Sequence, residues 1–399
     1  MANKPYLTAN DLVETVKLNS NFPVAQVTYS DEEILKFANH ELFLSQVPSV
    51  LQYHEDFFTF REEVPLKTNK SRYDIPYRAI GQKVYDVYHK DTQGNLKELS
   101  FVDAADKAYF QGNVNGSTTP YHFYLESNQI VLTPDIGSNS AGSLVFVYYL
   151  RPNNLVLDER AAVCTAFSKD ITIDNTSLIA GDTLTIGSVV FTAGTSFAIG
   201  ANSSATATNL ASAINSEGTY TATVSSAIVT INYETLDTSI STSNSSAFSI
   251  ETLQGIVFDQ VPTHITNSTV IDFLKRKGGH RTYSIDVKLG KNVVSSNTIK
   301  FPIADIPEDF EIEDYICSQF ECIIPQIPSD LHVLLAERTV ARILQAQGDQ
   351  AGLQTSKMQI REYEAGQATI VDNRVEGSPR KVLNRNSFLR IGKGSLGRF

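Results

Sequence analysis

The sequence predicts an α+β protein: a helix cluster built from N- and C-terminal segments, plus an antiparallel β domain between them. Three observations support this class. Apolar residues recur at helical spacing near both ends, alternate with polar residues in the middle, and give way twice to segments of different composition. These two segments indicate an inserted small β module and an extended C-terminal arm.

Capping patterns indicate the N-terminal helices. Thr8 opens one short helical pattern, and Ser30 begins a capping box that is followed by apolar residues at helical spacing. Pro48 is expected to close the second helix, because proline lacks the N–H that a helix interior needs. Residues 1–56 therefore form the N-terminal part of the cluster.

The antiparallel β domain is predicted over 57–168 and 255–325, where the apolar period changes to two. A turn is expected at Asp91–Gly94. Aromatic residues such as Phe58 and Tyr85 in this region favour core packing, and some could instead anchor a subunit interface. The expected strands cover residues 57–64, 73–76, 84–88, 122–125, 129–132, 144–150, 270–274, 282–285 and 297–301.

The inserted module is predicted over 169–254. Between Asp170 and Leu274 the chain has no Lys or Arg, and Ser and Thr are abundant. Alternating Val, Ile and Phe nevertheless favour folded strands. The expected elements are a hairpin over 182–191 that turns at Gly187-Ser188, a helix over 205–215, and paired strands over 220–224 and 228–231. Insertion is tolerated at exposed loop tips whose ends lie close together.

The C-terminal part of the cluster is predicted over 326–372. Ser329 is a candidate N-cap for a helix with one apolar stripe. Gly348-Asp349 is expected to end that helix, and a second helix is expected from about Gln350 to Val371.

The arm, 373–399, reverses the charge of the chain. From Arg374 onward it carries seven basic residues and one acidic residue, a charge of +7 − 1 = +6, whereas the other 373 residues carry 26 − 43 = −17. Few of its residues are apolar, so we expect it to order only against a partner, although a solvated tail is the alternative. The basic residues are Arg374, Arg380, Lys381, Arg385, Arg390, Lys393 and Arg398.

Composition also limits the location and partners of the protein. No apolar run reaches the ~20 residues that a membrane span needs, and the N-terminus lacks the apolar core of a secretion signal. Three cysteines cannot form a closed disulfide framework. We therefore expect synthesis in a reducing cytoplasm and no membrane partner. The acidic body argues against generic binding of duplex DNA.

No catalytic or cofactor motif is found. The seven histidines are scattered, and Cys317 and Cys322 lack companions for zinc. Gly392–Gly397 matches the dinucleotide fingerprint, but no helix follows it. Glu32 and Glu33 could serve acid–base chemistry, yet carboxylates at a helix start favour capping. We therefore expect no enzymatic activity, no metal and no cofactor.

One basic run in the body has two interpretations. Lys275–Arg281 could bind a phosphate or an acidic protein face, or it could be a solvated hairpin tip, which we favour.

Several segments together resemble one family. The helix over 29–42 with the Val47-Pro48 that follows it, the segment 72–94, the helix that follows Pro325-Gln-Ile-Pro328, and the terminal Val375-Glu-Gly-Ser-Pro-Arg-Lys-Val382 are similar to those of head–tail adaptor (neck ring) proteins of tailed bacteriophages. The resemblance covers roughly 8–165 and 255–390, and the inserted module departs from it.

The resemblance implies a structural ring, usually of twelve copies, that joins the portal protein to neck or tail components in the virion. Genome DNA would pass through the channel without specific binding, and the basic arm would dock on the portal. A different hypothesis is a tail or fibre component that binds host surface glycan through the inserted module.

Overall fold

The computed structural model describes residues 6–20, 29–106, 120–133, 141–277, 281–290, 294–295 and 297–371. Within these ranges, the helices are α1 (Ala9–Asn19), α2 (Asp31–Glu41), α3 (Val47–Tyr53), α4 (Ser203–Glu217), α5 (His332–Gln347) and α6 (Gln350–Val371). None of the helices in these ranges combines the length and apolar character that a bilayer crossing requires.

The strands are β1 (Thr59–Pro65), β2 (Arg72–Asp74), β3 (Asp86–Lys90), β4 (Leu96–Glu98), β5 (Ser100–Phe101), β6 (His122–Glu126), β7 (Gln129–Thr133), β8 (Ser143–Tyr149), β9 (Asn154–Leu155), β10 (Ala162–Ile173), β11 (Thr183–Ile186), β12 (Val189–Thr192), β13 (Thr221–Ser225), β14 (Ile228–Tyr233), β15 (Ile240–Thr242), β16 (Phe248–Ile250), β17 (Gln254–Phe258), β18 (Val270–Leu274), β19 (Thr282–Lys288), β20 (Thr298–Phe301), β21 (Tyr315–Ser318) and β22 (Glu321–Cys322).

The helix cluster joins both ends of the chain, as the sequence predicts. Helices α1, α2, α3 and α5 contribute to one buried apolar core. Both capping boxes are present: the hydroxyl of Thr8 accepts from the N–H of Asp11, and that of Ser30 accepts from the N–H of Glu33. Local side-chain to backbone bonds therefore fix where α1 and α2 begin.

The prediction that Pro48 closes the second helix is wrong. A π-helical segment, Leu42–Gln46, follows α2 and leads directly into α3. Pro48 lies in the first turn of α3, where a missing N–H costs little. Because the wider π turn comes before the proline, a new helix, α3, can begin there.

The C-terminal helices agree with the prediction except at their start. Ser329 does not cap α5, because a 3₁₀ turn over Ser329–Leu331 precedes the helix and no side chain caps it. Gly348 adopts a left-handed conformation (φ 80°) and ends α5. Helix α6 follows at once and spans the predicted residues, Gln350–Val371.

The first β region contains two four-stranded sheets. One has the order β1-β8-β3-β4 and the other β2-β7-β6-β5, and their buried side chains form a shared core. Most pairs are antiparallel, but β5 pairs with β6 in parallel, as β9 does with β22. The predicted turn at Asp91–Gly94 is present, with the N–H of Gly94 donating to the carbonyl of Asp91.

A nine-stranded sheet is organised around the long strand β10. Its start pairs with β21, its middle with β17, and its end lies between β14 and β16. The boundary expected at residues 168/169 lies within this strand. One apolar core extends on both sides of that boundary, from Phe273 and Ile316 to Leu184 and Leu210.

The module itself contains the predicted elements. Strands β11 and β12 form a hairpin that turns at Gly187-Ser188, and β15 pairs with the other side of β11. Strands β13 and β14 pair next to β10. The predicted apolar face of α4 is buried; it consists of Ala207, Leu210, Ala211 and Ile214.

Candidate functional site

The predicted portal-docking residues lie outside the described part of the chain. All seven, Arg374, Arg380, Lys381, Arg385, Arg390, Lys393 and Arg398, follow Val371, as does the glycine-rich segment Gly392–Gly397. Their role stays a prediction.

The basic run 275–281 meets acidic groups of the same chain. Lys277 pairs with Glu313, and Arg281 lies 3.2 Å from the carboxylate of Asp309. Hydrogen bonding to Glu313 raises the pKa of Lys277. Both pairs are exposed to solvent, so each contributes little, and the two interpretations of the run stay predictions.

The most distinctive cluster in the described residues surrounds the buried side chain of Arg78, which is 1% exposed. Its two terminal nitrogens lie 2.7 and 2.9 Å from the carboxylate oxygens of Asp272, a bidentate pair. One of them also donates to Asp286 at 2.6 Å, and the other to the amide oxygen of Asn153 at 3.2 Å. Planar bidentate pairing of this kind fixes geometry as well as charge.

Distant parts of the chain meet in this cluster. Arg78 lies between β2 and β3, Asp272 on β18, Asp286 on β19, and Asn153 just before β9. Asn153 also donates to Asp272 at 2.8 Å, and its backbone N–H donates to Gln326 at 2.6 Å. The cluster therefore ties the first β region to the nine-stranded sheet and to the segment that leads into α5.

The electrostatics keep Arg78 charged. Burial alone would lower its pKa, but the hydrogen bonds and charge of Asp272, with Asp286, raise it above the ordinary value. Asp286 accepts further hydrogen bonds from the hydroxyl of Tyr77 and from Gln319 at 2.7 Å. Burial and the bond to Asp286 raise the pKa of Tyr77, so its hydroxyl keeps its proton.

Two residues of the cluster have left-handed backbone conformations, Asp286 with φ 59° and Phe320 with φ 66°. For a bulky residue this conformation is an outlier that the surrounding contacts must hold. The N–H of Phe320 donates to Asp272 at 3.3 Å, and its ring lies 4.3 Å from the guanidinium of Arg78. The buried charges thus hold a strained aromatic residue in place.

The outer face of the cluster is aromatic. Tyr77 is 55% exposed and Phe320 38%, and their rings meet edge to face with centroids 5.8 Å apart. Beside Phe320 lies a groove of about 460 Å³ between α2, β9 and the β21–β22 hairpin. Rigid, exposed Tyr and Phe side chains next to a groove are typical of protein interfaces.

The geometry of the cluster suits it to positioning the segments that meet there. Arg78 is too deeply buried to touch a ligand. Among the described residues, no three His, Cys, Asp or Glu side chains are placed to hold a metal ion. Burial raises the pKa of all three buried cysteines, that of Cys164 to about 12, so their thiols are poor nucleophiles. Glu33 acts as a capping residue, and its pKa is lowered by the bond from the Ser30 backbone.

Large apolar side chains are exposed on the helix cluster. In α6, over the described side chains 350–366, only Leu353 and Ser356 are buried. A helix with so little buried surface lacks the packing that usually stabilises helices in proteins. The exposed side chains include Leu18, Leu44, Val333, Met358 and Tyr363.

Sequence reasoning missed the Arg78 cluster, although one signal was available. Asp272 stands between two pairs of apolar residues in the strand Val270-Ile-Asp-Phe-Leu274. A carboxylate on such a strand is buried and needs a cation. The sequence does not say which of the 33 Lys and Arg residues supplies it.

Fold and site together define an α+β protein whose described polar centre lies beneath an aromatic surface. No family model and no curated protein matches the sequence. Among solved structures, the chain is matched with the D1-D2-D3 domains of the flagellar cap protein FliD from Escherichia coli. The two share 10% identity over 93% of this chain and 80% of that one, with a TM-score of 0.16, which is too low to indicate a common fold.

Proposed function

We propose that the protein is a structural head–tail adaptor of a tailed-phage neck. It forms a ring, of twelve copies by the family resemblance, that joins the portal to tail components and encloses the DNA channel. It acts without turning over a substrate. In the virion, its basic arm docks on the portal.

The observation that carries this proposal is the set of exposed apolar side chains on the helix cluster. Met358 is 65% exposed and Leu18 70% exposed, on helices that come from opposite ends of the chain. In a ring, each subunit would present one face of this cluster to a different face of its neighbour, a heterologous contact that closes on itself. Burying such side chains between subunits would supply the packing that α6 lacks within one subunit.

The Arg78 cluster supports the same proposal. A ring subunit must hold its contact surfaces in a fixed relation, because a small angular error is repeated at every interface. The bidentate pair of Arg78 and Asp272 joins segments 194 residues apart in the sequence. It would thus fix the first β region relative to the nine-stranded sheet, and the bond from Asn153 to Gln326 would extend this link toward the helix cluster.

Cryo-electron microscopy of the virion neck tests the proposal. We expect density for this chain as a ring directly below the portal, with residues 374–399 along the portal surface. Density for the chain only at a fibre or on the capsid surface would contradict it.

The alternative, a glycan-binding tail or fibre component, is favoured by one feature. The module has an open groove of about 550 Å³ lined by Asn209, Ser212 and Ser216, whose polar groups could meet sugar hydroxyls. Purified protein added in excess to host cells separates the two hypotheses. A glycan binder blocks phage adsorption by competition, whereas an adaptor leaves adsorption unchanged.

A further inference from the structure

The inserted module carries a negative charge that has few partners within the chain. Residues 169–254 hold one basic and seven acidic side chains, a charge of 1 − 7 = −6. Lys300 pairs with two of these carboxylates, Asp170 and Glu251, at 2.6 Å each. In the described part of the chain the other five form no ion pair; they are Asp174, Asp182, Glu217, Glu234 and Asp237.

Strand β12 presents an open edge of this module. It is the outer strand of the sheet β12-β11-β15. Because a two-residue turn joins β11 and β12, Val189 and Phe191 bond to β11, and the backbone groups of Val190 and Thr192 point outward. Those of Thr192 are satisfied by Ser196. Among the described residues, Val190 has no partner for its outward N–H and C=O, and its side chain is 52% exposed.

The groove beside β12 is rich in hydrogen-bond acceptors. It lies between β12 and α4. The hydroxyls of Ser212 and Ser216 donate to carbonyls of their own helix, and Asn209 uses its amide nitrogen on the carbonyl of Ala198. The oxygens of these side chains can accept further bonds, and Glu217, whose carboxylate accepts from the N–H and the hydroxyl of Thr219, also lines the groove. A groove of this kind favours a segment that brings cations.

We propose that the basic C-terminal arm, 373–399, occupies this groove and adds to the edge of β12 as an extended segment. Its charge of +6 is opposite in sign to that of the module, where five carboxylates form no ion pair in the described residues and one of them, Glu217, lines the groove. Because successive side chains of an extended segment point to opposite faces, Phe388 can cover Val190 while Arg385, on the other face, meets the acceptors of α4. Since 28 residues follow Val371, the arm can reach roughly 90 Å when extended.

This contact does not rest on the portal-docking role, because it follows from the charge and the edge of the module alone. In an adaptor it would hold the arm until the portal competes for it. The other outer strand, β13, is a less suitable edge. Asn215 of α4 bonds both the N–H and the C=O of Ala222 and so covers it.

Tryptic cleavage within the arm of the full-length protein tests the proposal. We expect cleavage between Arg380 and Arg390 to be about tenfold slower than in a synthetic peptide of residues 374–399, since bound chain is cut only when it opens. Val190→Pro removes the edge N–H, and Glu217→Lys reverses the charge in the groove. Each should bring the rate close to that of the peptide, as should roughly 0.5 M salt.

Two matched variants are the controls. Val224→Pro changes the edge of β13, and Glu234→Lys reverses an exposed charge elsewhere on the module; both should keep the arm protected. Far-UV circular dichroism checks that each variant keeps its fold. If Val190→Pro does not fold, Glu217→Lys provides the test. The proposal is overturned if the wild-type arm is cut as fast as the peptide, or if the controls release it equally. If the arm is protected from trypsin in a protein that does not bind portal, the contact between arm and module is supported and only the adaptor function is refuted.

Discussion

At the scale of single residues, the buried pair of Arg78 and Asp272 joins the first β region to the nine-stranded sheet. Replacing Arg78 with Met leaves two carboxylates in a buried site without their cation. We expect a loss of about 3–5 kcal/mol in the free energy of unfolding, measured by urea denaturation. The matched control is Arg72→Met, whose partner Glu126 is exposed, with a loss of at most about 1 kcal/mol. Equal losses in the two variants would contradict a structural role for the cluster.

Glu337 on α5 provides a pH-dependent test of the helix cluster. It is 7% exposed, and burial raises its pKa even though Asn19 donates to it at 2.6 Å. A carboxyl group whose pKa is higher in the folded than in the unfolded protein adds to the free energy of unfolding at a pH below its unfolded pKa. That contribution is lost as the pH rises through the folded pKa. We therefore expect Glu337→Gln to stabilise the protein at pH 7 and to have little effect near pH 4. Thermal unfolding at both pH values measures this, with Glu362→Gln on the exposed face of α6 as the control.

At the scale of elements, the π-helical segment between α2 and α3 contains a buried amide without a partner. Gln46 is 0% exposed, and neither atom of its amide forms a hydrogen bond in the described residues. An unsatisfied buried polar group costs about 1–3 kcal/mol. Gln46→Met, which keeps the length of the side chain, should raise the free energy of unfolding by about that amount, whereas Gln345→Met at an exposed position should not. A destabilised Gln46→Met protein would show that the amide has a use in folding.

The elements also show which parts of the fold could be predicted from sequence. The capping box at Ser30, the helix start at Thr8, the Gly348 stop and the hairpin at Gly187-Ser188 depend on residues within a few positions of each other, and all were predicted. Pro48 was misread because the sequence does not reveal that a π turn precedes it. The cluster around Arg78 could not be assembled from sequence, because its partners are far apart in the chain and only the sheet topology brings them together.

Helix α6 gives a test of assembly at the scale of the whole molecule. Met358→Lys places a charge among the apolar side chains that we assign to the contact between subunits. Met358 is largely exposed in the single chain. We expect normal far-UV circular dichroism but strongly reduced incorporation into virions, because an unpaired charge in a closed interface is costly at every copy. Leu125→Lys on β6, 41% exposed, makes the same chemical change outside the helix cluster. Incorporation that falls equally in both variants would remove α6 from the interface.

The charge difference between arm and body gives the last test at this scale. Arg380→Glu with Lys381→Glu lowers the charge of the arm from +6 to +6 − 4 = +2. We expect the far-UV circular dichroism of the body to be unchanged, because the described fold ends at Val371, and binding of purified portal to be abolished. The same variant should be cut faster by trypsin elsewhere in the arm if the module holds the arm before docking. If particles assemble normally with this variant, the arm does not dock on the portal. If trypsin nevertheless cuts the arm of the variant faster, the arm still binds the groove beside β12.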